Sequence, residues 1–203
     1  MQVIRLSQQQ IVEAVGALAR AFHNQPFGIF YAPDPEERMR LLHEQFTRLV
    51  RYCCAYGEPY TTLGTVEGAA LWMPPSAARI TPEHEHEFGF DELPAIFGQE
   101  AFSRYQPMRN CLSAIHEREM KEPHWYLPIL GVEPSRQGYG IGSALLQQIL
   151  DRATAERLPC YLDTLQPRNV AFYDKHGFKV LVEGVEPVSG LRYWCFRRAP
   201  LPV

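Results

Sequence analysis

The chain has 203 residues, of which 46% are hydrophobic and 12% aromatic; this content suits one compact globular domain and excludes a disordered polypeptide. Its formal net charge is −3, so no basic surface favours nucleic acid or an anionic membrane, and we expect neither as a partner. Met1–Leu6 lacks the apolar core of a signal peptide, and no apolar run reaches the roughly 18 residues that a membrane-spanning helix needs.

The N-terminal part of the chain predicts short strands and two helices. Met1–Leu6 alternates polar and apolar residues, as a strand does, and Ser7 can cap a helix that runs to about residue 23. A second helix is predicted over about 36–53. Two β-prone runs at 60–63 and 69–73 flank a short polar segment, which is typical of a hairpin. Residues 76–122 predict irregular helix, interrupted by prolines and glycines.

The C-terminal part has a sharper pattern. Residues 124–132 form a nearly all-apolar run, which predicts a strand covered on both faces. Pro128 cannot donate a hydrogen bond to a neighbouring strand, so we expect a bulge or a splay at that position. The remaining elements are predicted in the order helix 142–156, strand 160–165, helix 170–176 closed by Gly177, and an antiparallel pair at 178–183 and 191–196.

A glycine-rich turn separates the predicted strand 124–132 from the helix that follows. Gly138, Gly140 and Gly142 let backbone N–H groups approach a ligand without obstruction by Cβ atoms. Together with a helix N-terminus, such amides form an anion site suited to a pyrophosphate. A Walker loop would need a lysine after the last glycine, and a dinucleotide fingerprint would need G-x-G-x-x-G; the sequence has neither. The acetyl-CoA loop, Q/R-x-x-G-x-G/A, is satisfied by Gln137, Gly140 and Gly142.

A second motif lies downstream at residues 166–180. Asn169, Phe172, Tyr173, Gly177 and Phe178 reproduce an N-x-x-F/Y-Y-x-x-x-G-F run. With both motifs in this order, the chain resembles the GNAT superfamily of N-acetyltransferases. Within it, residues 121–198 look like the puromycin N-acetyltransferase group and its bacterial relatives.

One position departs from the family pattern: Tyr139 stands where many relatives carry a lysine or arginine beside the phosphates. Arg136 is the alternative source of that charge.

The resemblance implies an α/β fold with a single GNAT domain over residues 1–203. We expect a mixed, mostly antiparallel central sheet with helices on both faces and a splayed pair of strands that holds the CoA. Residues 1–122 would carry the acceptor-binding segments, and residues 123–203 the acetyl-CoA-binding core and the closing strands. Acetyl-CoA is the implied co-substrate, and no metal is expected. The implied cofactor-binding residues are Leu130, Gly131, Val132, Gln137, Gly138, Tyr139, Gly140, Ile141, Gly142, Ser143, Asn169, Phe172 and Tyr173.

The resemblance also implies direct attack of an amine on the thioester. Tyr173 is the predicted general acid, because a phenol and a thiol have pKa values close enough for a proton transfer. Backbone amides around residues 130–132 would face the thioester carbonyl. The general base stays open between Asp163 and His124 as the catalytic candidates, with Glu67 and the His84–Glu87 cluster as further alternatives. We favour a solvated surface over a metal site for that cluster.

The acceptor is the least determined part. A small-molecule amine is the leading hypothesis, with a protein or peptide N-acetyltransferase and a non-catalytic acyl-CoA sensor as alternatives. Five irregularly spaced cysteines predict free thiols and hence the cytoplasm as location: Cys53, Cys54, Cys111, Cys160 and Cys195. A homodimer formed through the closing strands is left open.

Overall fold

A computed structural model describes residues 1–200, and its centre is a seven-stranded sheet in the order β1-β2-β3-β4-β5-β7-β6. Neighbouring strands are antiparallel except β4 and β5, which are parallel. The strands are β1 (Val3–Arg5), β2 (Glu58–Thr62), β3 (Gly68–Met73), β4 (Trp125–Val132), β5 (Cys160–Thr164), β6 (Lys179–Val185) and β7 (Arg192–Arg198). The helices are α1 (Ile11–His23), α2 (Pro26–Tyr31), α3 (Pro35–Tyr56), α4 (Pro82–Glu87), α5 (Leu93–Glu119), α6 (Ile141–Glu156) and α7 (Arg168–Lys175).

Helices cover both faces of the sheet, because the central strand β3 sends apolar side chains to each side in alternation. Leu71 and Met73 pack in a cluster with α1 and α3, whereas Ala70 and Trp72 pack in a second cluster with α6 and α7. Successive side chains of a strand point to opposite faces, so a strand buried on both faces must be apolar throughout. The predicted mixed, mostly antiparallel sheet with helices on both faces is confirmed.

The helices begin and end where local chemistry predicts. Asp34 caps α3 by accepting a hydrogen bond of 2.8 Å from the backbone N–H of Glu37, and Pro35 occupies the first turn. Gly177, with φ of 83°, follows α7 in the left-handed conformation that glycine adopts without strain. The predicted boundaries of α6 and α7 lie within two residues of the observed ones, and α1 ends at His23 as predicted, but a 3-10 turn over Gln8–Gln10 precedes its start at Ile11.

The predicted splay at Pro128 is present. β4 pairs with β5 only from Trp125 opposite Cys160 to Leu127 opposite Leu162, whereas its pairing with β3 continues to Val132. The ladder to β5 therefore ends where proline removes the N–H donor. Beyond this point the two parallel strands diverge and leave a gap between them.

The structure also differs from the sequence-based predictions. Helix α2 was not predicted. Residues Pro128–Leu130 are half-buried rather than fully covered, because cavities open beside them. The predicted irregularity of 76–122 is confirmed: α5 is broken at Gly98, with φ of 71° and ψ of 164°, and contains Pro107. No helix among residues 1–200 combines the length and apolarity needed to cross a bilayer.

Gly131 on β4 offers a test of how closely α1 packs on the sheet. A Cβ atom at this position would lie 2.7 Å from Leu18 Cδ2 and 3.0 Å from Phe22 Cε2. We expect Gly131→Ala to lower the free energy of unfolding by about 1–3 kcal/mol, because α1 must move away from the strand. Urea denaturation measures this change.

Gly16→Ala, within α1, is the matched control. Its added Cβ meets only the flexible end of Arg20, at 3.1 Å, so helix propensity should raise stability by up to about 1 kcal/mol. Equal effects of the two substitutions would contradict close packing at Gly131.

Candidate active site

A cleft lies between the diverging strands and the glycine-rich turn; we name it the cofactor cleft. Its volume is about 460 Å³. Twelve of the thirteen predicted cofactor-binding residues line it, all except Tyr139: Leu130, Gly131, Val132, Gln137, Gly138, Gly140, Ile141, Gly142, Ser143, Asn169, Phe172 and Tyr173. The sequence motifs therefore converge on one concave surface.

Backbone conformation explains two of the three glycines in the turn. Gly138 and Gly140 have φ of 85° and 81°, and no atom lies within 4 Å of a Cβ built on either. Their requirement for glycine is conformational, and the space above their backbone is open to a ligand. Gly140 immediately precedes α6, so the N-terminal amides of this helix border the cleft. This arrangement forms a cradle for a phosphate-containing group.

Arg136, the predicted alternative source of positive charge, lines the cleft. Arg136 pairs with Glu67 at 2.7 Å and stacks over the ring of Tyr139, 5.2 Å from its centroid. Tyr139 is 70% exposed and does not line the cleft. Gln137 donates a hydrogen bond of 3.1 Å from its Nε2 to the carbonyl of Val132, which ties the turn to the end of β4.

Two cations of the cleft were missed by the sequence analysis. Arg168 and Lys175 of α7 both line it. They stand seven positions apart, and this spacing places two residues on one face of a helix. That spacing, next to the predicted motif, was the signal that could have identified them.

A second cavity, which we name the inner cavity, adjoins the cofactor cleft and has a volume of about 120 Å³. Four residues line both spaces: Gln25, Leu130, Asn169 and Tyr173. Asn169 donates from Nδ2 to Thr164 Oγ1 at 3.0 Å, which connects α7 to the end of β5. Three parts of the fold thus form the boundary between the cofactor cleft and the inner cavity: the turn before α2, the splayed part of β4, and α7.

Tyr173 lies at this boundary and is only 6% exposed. Its ring packs against Phe172, Phe178 and Phe196. Burial, and to a smaller extent the nearby Asp163 carboxylate, raises the pKa of Tyr173 well above that of an ordinary phenol. The hydroxyl is therefore protonated at neutral pH, as a proton donor must be.

Asp163 lines the inner cavity from the end of β5. Burial raises the pKa of its carboxyl to about 6, against the opposing effects of the Arg109 charge and a 3.3 Å hydrogen bond from Tyr126. A carboxylate with a pKa near 6 is ionised at neutral pH and is a stronger base than an ordinary aspartate. The structure brings this predicted residue together with Tyr173.

The other candidates for the general base lie outside the cofactor cleft and the inner cavity. His124 Nε2 lies 2.7 Å from Nε2 of His116, its Nδ1 lies 2.7 Å from the carbonyl of Glu122, and burial lowers its pKa. It lines neither the cofactor cleft nor the inner cavity. The structure therefore does not place His124 where the prediction of a general base requires it. Glu67 is engaged by Arg136.

The histidine and glutamate cluster forms the short helix α4, within the segment predicted to be irregular helix. His86 pairs with Asp91 at 2.8 Å and is exposed, and His84 packs on Tyr56. No group of three potential ligands close enough to hold a metal ion occurs within residues 1–200.

A third space, the outer cavity, continues from the inner cavity and has a volume of about 400 Å³. Gln45, Arg109, Pro128 and Ile129 line both. Its walls include two acidic residues, Glu85 and Asp91, and five aromatic side chains, namely Tyr52, Phe90, Phe102, Tyr105 and Tyr126. Residues 1–122 were expected to carry the acceptor-binding segments, and three aromatic residues of this part, Phe27, Tyr31 and Tyr105, line the two cavities.

Comparison with known proteins agrees with the geometry. The model of the acetyltransferase (GNAT) family matches residues 19–178. The chain belongs to the GNAT family of acetyltransferases. The protein is therefore a GNAT-type N-acetyltransferase, and the co-substrate of this family is acetyl-CoA.

Individual relatives are distant. The chain is 25% identical over 184 residues to an uncharacterized N-acetyltransferase of Schizosaccharomyces pombe, covering 88% of this chain and 74% of that protein. A histone acetyltransferase HPA2 and related acetyltransferase of Corynebacterium glutamicum superposes with a TM-score of 0.70 at 25% identity, covering 100% of this chain and 97% of that one. A Drosophila melanogaster polyamine N-acetyltransferase superposes with a TM-score of 0.62 at 15% identity, covering 98% and 99%, which shows the shared fold.

The cofactor cleft fits the co-substrate of the GNAT family. The open backbone over Gly138 and Gly140 suits a pyrophosphate, and Arg168 and Lys175 provide positive charge beside it. The gap between β4 and β5 leads from this cradle to Tyr173, so a long, thin chain could lie along Leu130–Val132.

The raised pKa of Asp163 predicts a dependence of stability on pH. Its pKa is about 6 in the folded protein against the ordinary 3.8, so the folded state holds the proton more tightly than the unfolded state. This contribution is complete below pH about 4 and is lost as the pH rises through 6. We expect Asp163→Asn to gain about 2 kcal/mol relative to the wild type between pH 4 and pH 7.

Urea denaturation at a series of pH values measures this difference. Asp151→Asn, at an exposed position of α6, is the control and should follow the wild type at every pH. A constant difference between Asp163→Asn and the wild type across the range would contradict the raised pKa.

Proposed function

We propose that the protein transfers the acetyl group of acetyl-CoA to the primary amine of a small molecule, by direct attack within a ternary complex. The observation that carries this proposal is the position of Tyr173, which lines both the cofactor cleft and the inner cavity. A residue there can reach the sulfur of a thioester bound on one side while the amine approaches from the other. In this arrangement no acetyl-enzyme intermediate is needed.

The splayed part of β4 holds the thioester in this proposal. Alternate backbone amides of residues 130–132 face the edge that has lost its β5 partner, while the others face β3. The amides on the open edge are free to bind the pantetheine chain. An amide directed at the thioester carbonyl stabilises the negative charge that develops on its oxygen, and one such donor commonly contributes about 3 kcal/mol. When bound, acetyl-CoA supplies the activated acyl group.

Asp163 and Tyr173 carry the protons. Asp163 accepts the proton that the amine releases on attack, directly or through one water, and its pKa of about 6 suits that role. Tyr173 donates its hydroxyl proton to the departing sulfur. The same burial that raises the pKa of the Tyr173 phenol also raises the pKa of the CoA thiol. The proton can therefore still pass from the phenol to the sulfur.

The size of the inner cavity supports a small acceptor. Its volume of about 120 Å³ equals roughly four water molecules at about 30 Å³ each. Related folds act on small amines: the Drosophila neighbour forms N-acetylagmatine, and another neighbour is an aminoglycoside 6′-acetyltransferase. The resemblance to puromycin N-acetyltransferases points the same way.

We assign the acceptor mainly to residues 1–122, whose α2, α3 and α5 supply one wall of the inner cavity, and acetyl-CoA mainly to residues 123–203. All five cysteines are free, which supports a cytoplasmic location. The homodimer stays a prediction.

Removal of the Tyr173 hydroxyl tests the proposal. We expect Tyr173→Phe to lower kcat by about 10²–10⁴-fold with little change in the Kd for acetyl-CoA, because the ring packing is kept and only the proton donor is lost. Thiol release against a panel of primary amines measures the rate, and calorimetry the binding.

Tyr139→Phe is the control, because that exposed side chain lies outside the cleft, and it should retain the wild-type rate. Unchanged turnover in Tyr173→Phe would remove Tyr173 from the mechanism. Binding of acetyl-CoA without turnover of any amine would favour an acyl-CoA sensor.

The base is tested by the pH dependence of kcat. We expect the wild-type rate to fall as the pH drops below about 6, since protonated Asp163 cannot accept a proton. Asp163→Asn should be slower and should lose this acidic limb. His124→Gln should keep the acidic limb, because His124 lies outside the cofactor cleft and the inner cavity. Loss of the limb in that variant would show that His124, and not Asp163, is the general base.

A further inference from the structure

Arg109 of α5 is a charged residue in the cavities that the mechanism above does not use. It lines both the inner and the outer cavity. Among residues 1–200, no hydrogen bond or ion pair engages its guanidinium, although Asp163 lines the same inner cavity. The arginine keeps accessible surface, and that surface borders the cavities.

Two arginines of the neighbouring helix α3 are engaged by protein groups, in contrast to Arg109. Arg38 donates to the carbonyls of Ala32 and His23 at 2.7 Å. Arg48 pairs with Glu44 at 2.7 Å and with Glu92 at 2.8 Å. Because Arg109 is exposed along these cavities, its guanidinium is free to exchange water for a bound anion.

The surroundings keep Arg109 charged. Tyr105 has the largest effect and raises the pKa of the guanidinium; burial comes next and lowers it, and Tyr126 and Asp163 raise it by smaller amounts. None of these groups neutralises it by direct contact. The planar guanidinium can bind a carboxylate through two parallel hydrogen bonds.

We propose, on the basis of the acetyltransferase function above, that the acceptor is an aminocarboxylate whose carboxylate binds Arg109 while its amine lies between Asp163 and Leu130. The three residues line the same inner cavity of about 120 Å³. In so small a space the amine and the carboxylate are separated by only a few bonds. An α- or β-amino acid has this spacing.

The remaining substituent of the acceptor extends into the outer cavity. Arg109 and Ile129 stand where the two cavities join, and aromatic side chains, among them Tyr105 and Tyr126, form the walls beyond. An apolar or aromatic side chain packs well against such walls. A positive charge directly beside Arg109 would be repelled, so this position favours a carboxylate, although Glu85 and Asp91 also line the outer cavity.

The chemical step balances within these residues. The amine nitrogen bonds to the acetyl carbon, the carbon–sulfur bond breaks, and its electron pair goes to sulfur. Asp163 takes one amine proton and Tyr173 gives one proton to sulfur, so the products are an N-acetyl amino acid and the free thiol of CoA. A proton passed from Asp163 to Tyr173 through water restores both groups.

Carboxylate binding also strengthens the base. The Arg109 charge lowers the pKa of Asp163 in the free protein. A bound carboxylate offsets this charge, which makes Asp163 a better proton acceptor when the correct acceptor is in place. Selectivity thus arises in the chemical step as well as in binding.

The test compares three acceptors of one shape: phenylalanine, phenylalaninamide and phenethylamine, assayed by thiol release from acetyl-CoA. We expect kcat/KM to be roughly 10- to 100-fold higher for the acid than for the amide or the amine, as for a hydrogen-bonded ion pair. The amide is the weaker base and is more often unprotonated at neutral pH, so a preference for the acid cannot come from amine reactivity.

Three variants test whether Arg109 causes the preference for phenylalanine over the amide and the amine. Arg109→Gln should remove it, and Arg109→Lys should keep part of it. Arg104→Gln, on the same helix but paired with Glu100 at the surface, should leave it unchanged. Thermal melts in parallel confirm that all three variants fold.

Two outcomes would overturn the proposal in different ways. Equal or faster turnover of the amide and the amine, or an equal loss for all three acceptors in Arg109→Gln, would refute the aminocarboxylate while leaving the acetyltransferase function intact. Absence of turnover for all three acceptors, with other amines acetylated, would refute it as well. If no amine at all were acetylated, the proposed function itself would fail.

Discussion

The missing N–H of Pro128 is the constraint on which the rest of the site depends. A parallel pair of strands stays together only while each residue can supply its ladder hydrogen bonds, and the pairing of β4 with β5 ends at Leu127. Because β3 still holds β4 on its other side as far as Val132, the strand does not unfold. It presents a short edge of free backbone in the middle of the sheet. The cofactor cleft and the inner cavity both open onto that edge, at Leu130.

Burial gives the two titratable groups at this opening complementary properties. It raises the pKa of both Tyr173 and Asp163, since the charged form of each is poorly solvated. For the phenol the result is a hydroxyl that keeps its proton; for the carboxyl it is a base matched to neutral pH. Arg109 limits the effect on Asp163, because its charge keeps that carboxylate ionised. In the proposed mechanism, one physical cause therefore produces both the proton donor and the proton acceptor, on neighbouring elements.

Sequence alone predicted those parts of the site that depend on local backbone chemistry. The turn at Gly138 and Gly140 requires a left-handed backbone that glycine adopts readily, and the break at Pro128 follows from a missing donor; neither needs knowledge of distant residues. Arg109 and helix α2 could not be found this way. Their positions depend on packing between segments far apart in the chain. His124 shows the same limit: its sequence places it beside β4, but its ring is paired with His116 of α5.

This division explains why family membership determines the donor and leaves the acceptor open. The cleft is built by backbone of β4, the glycine turn and α7, which any member of the fold must retain to hold CoA. The inner and outer cavities are instead closed by side chains of α2, α3 and α5, and the break of α5 at Gly98 changes its direction before the turn that carries Arg109. A substitution at Arg109 would alter the charge of the acceptor pocket without disturbing any backbone that binds CoA. Acceptor specificity can therefore change within an unchanged catalytic frame, and it is set at positions where the sequence has no motif.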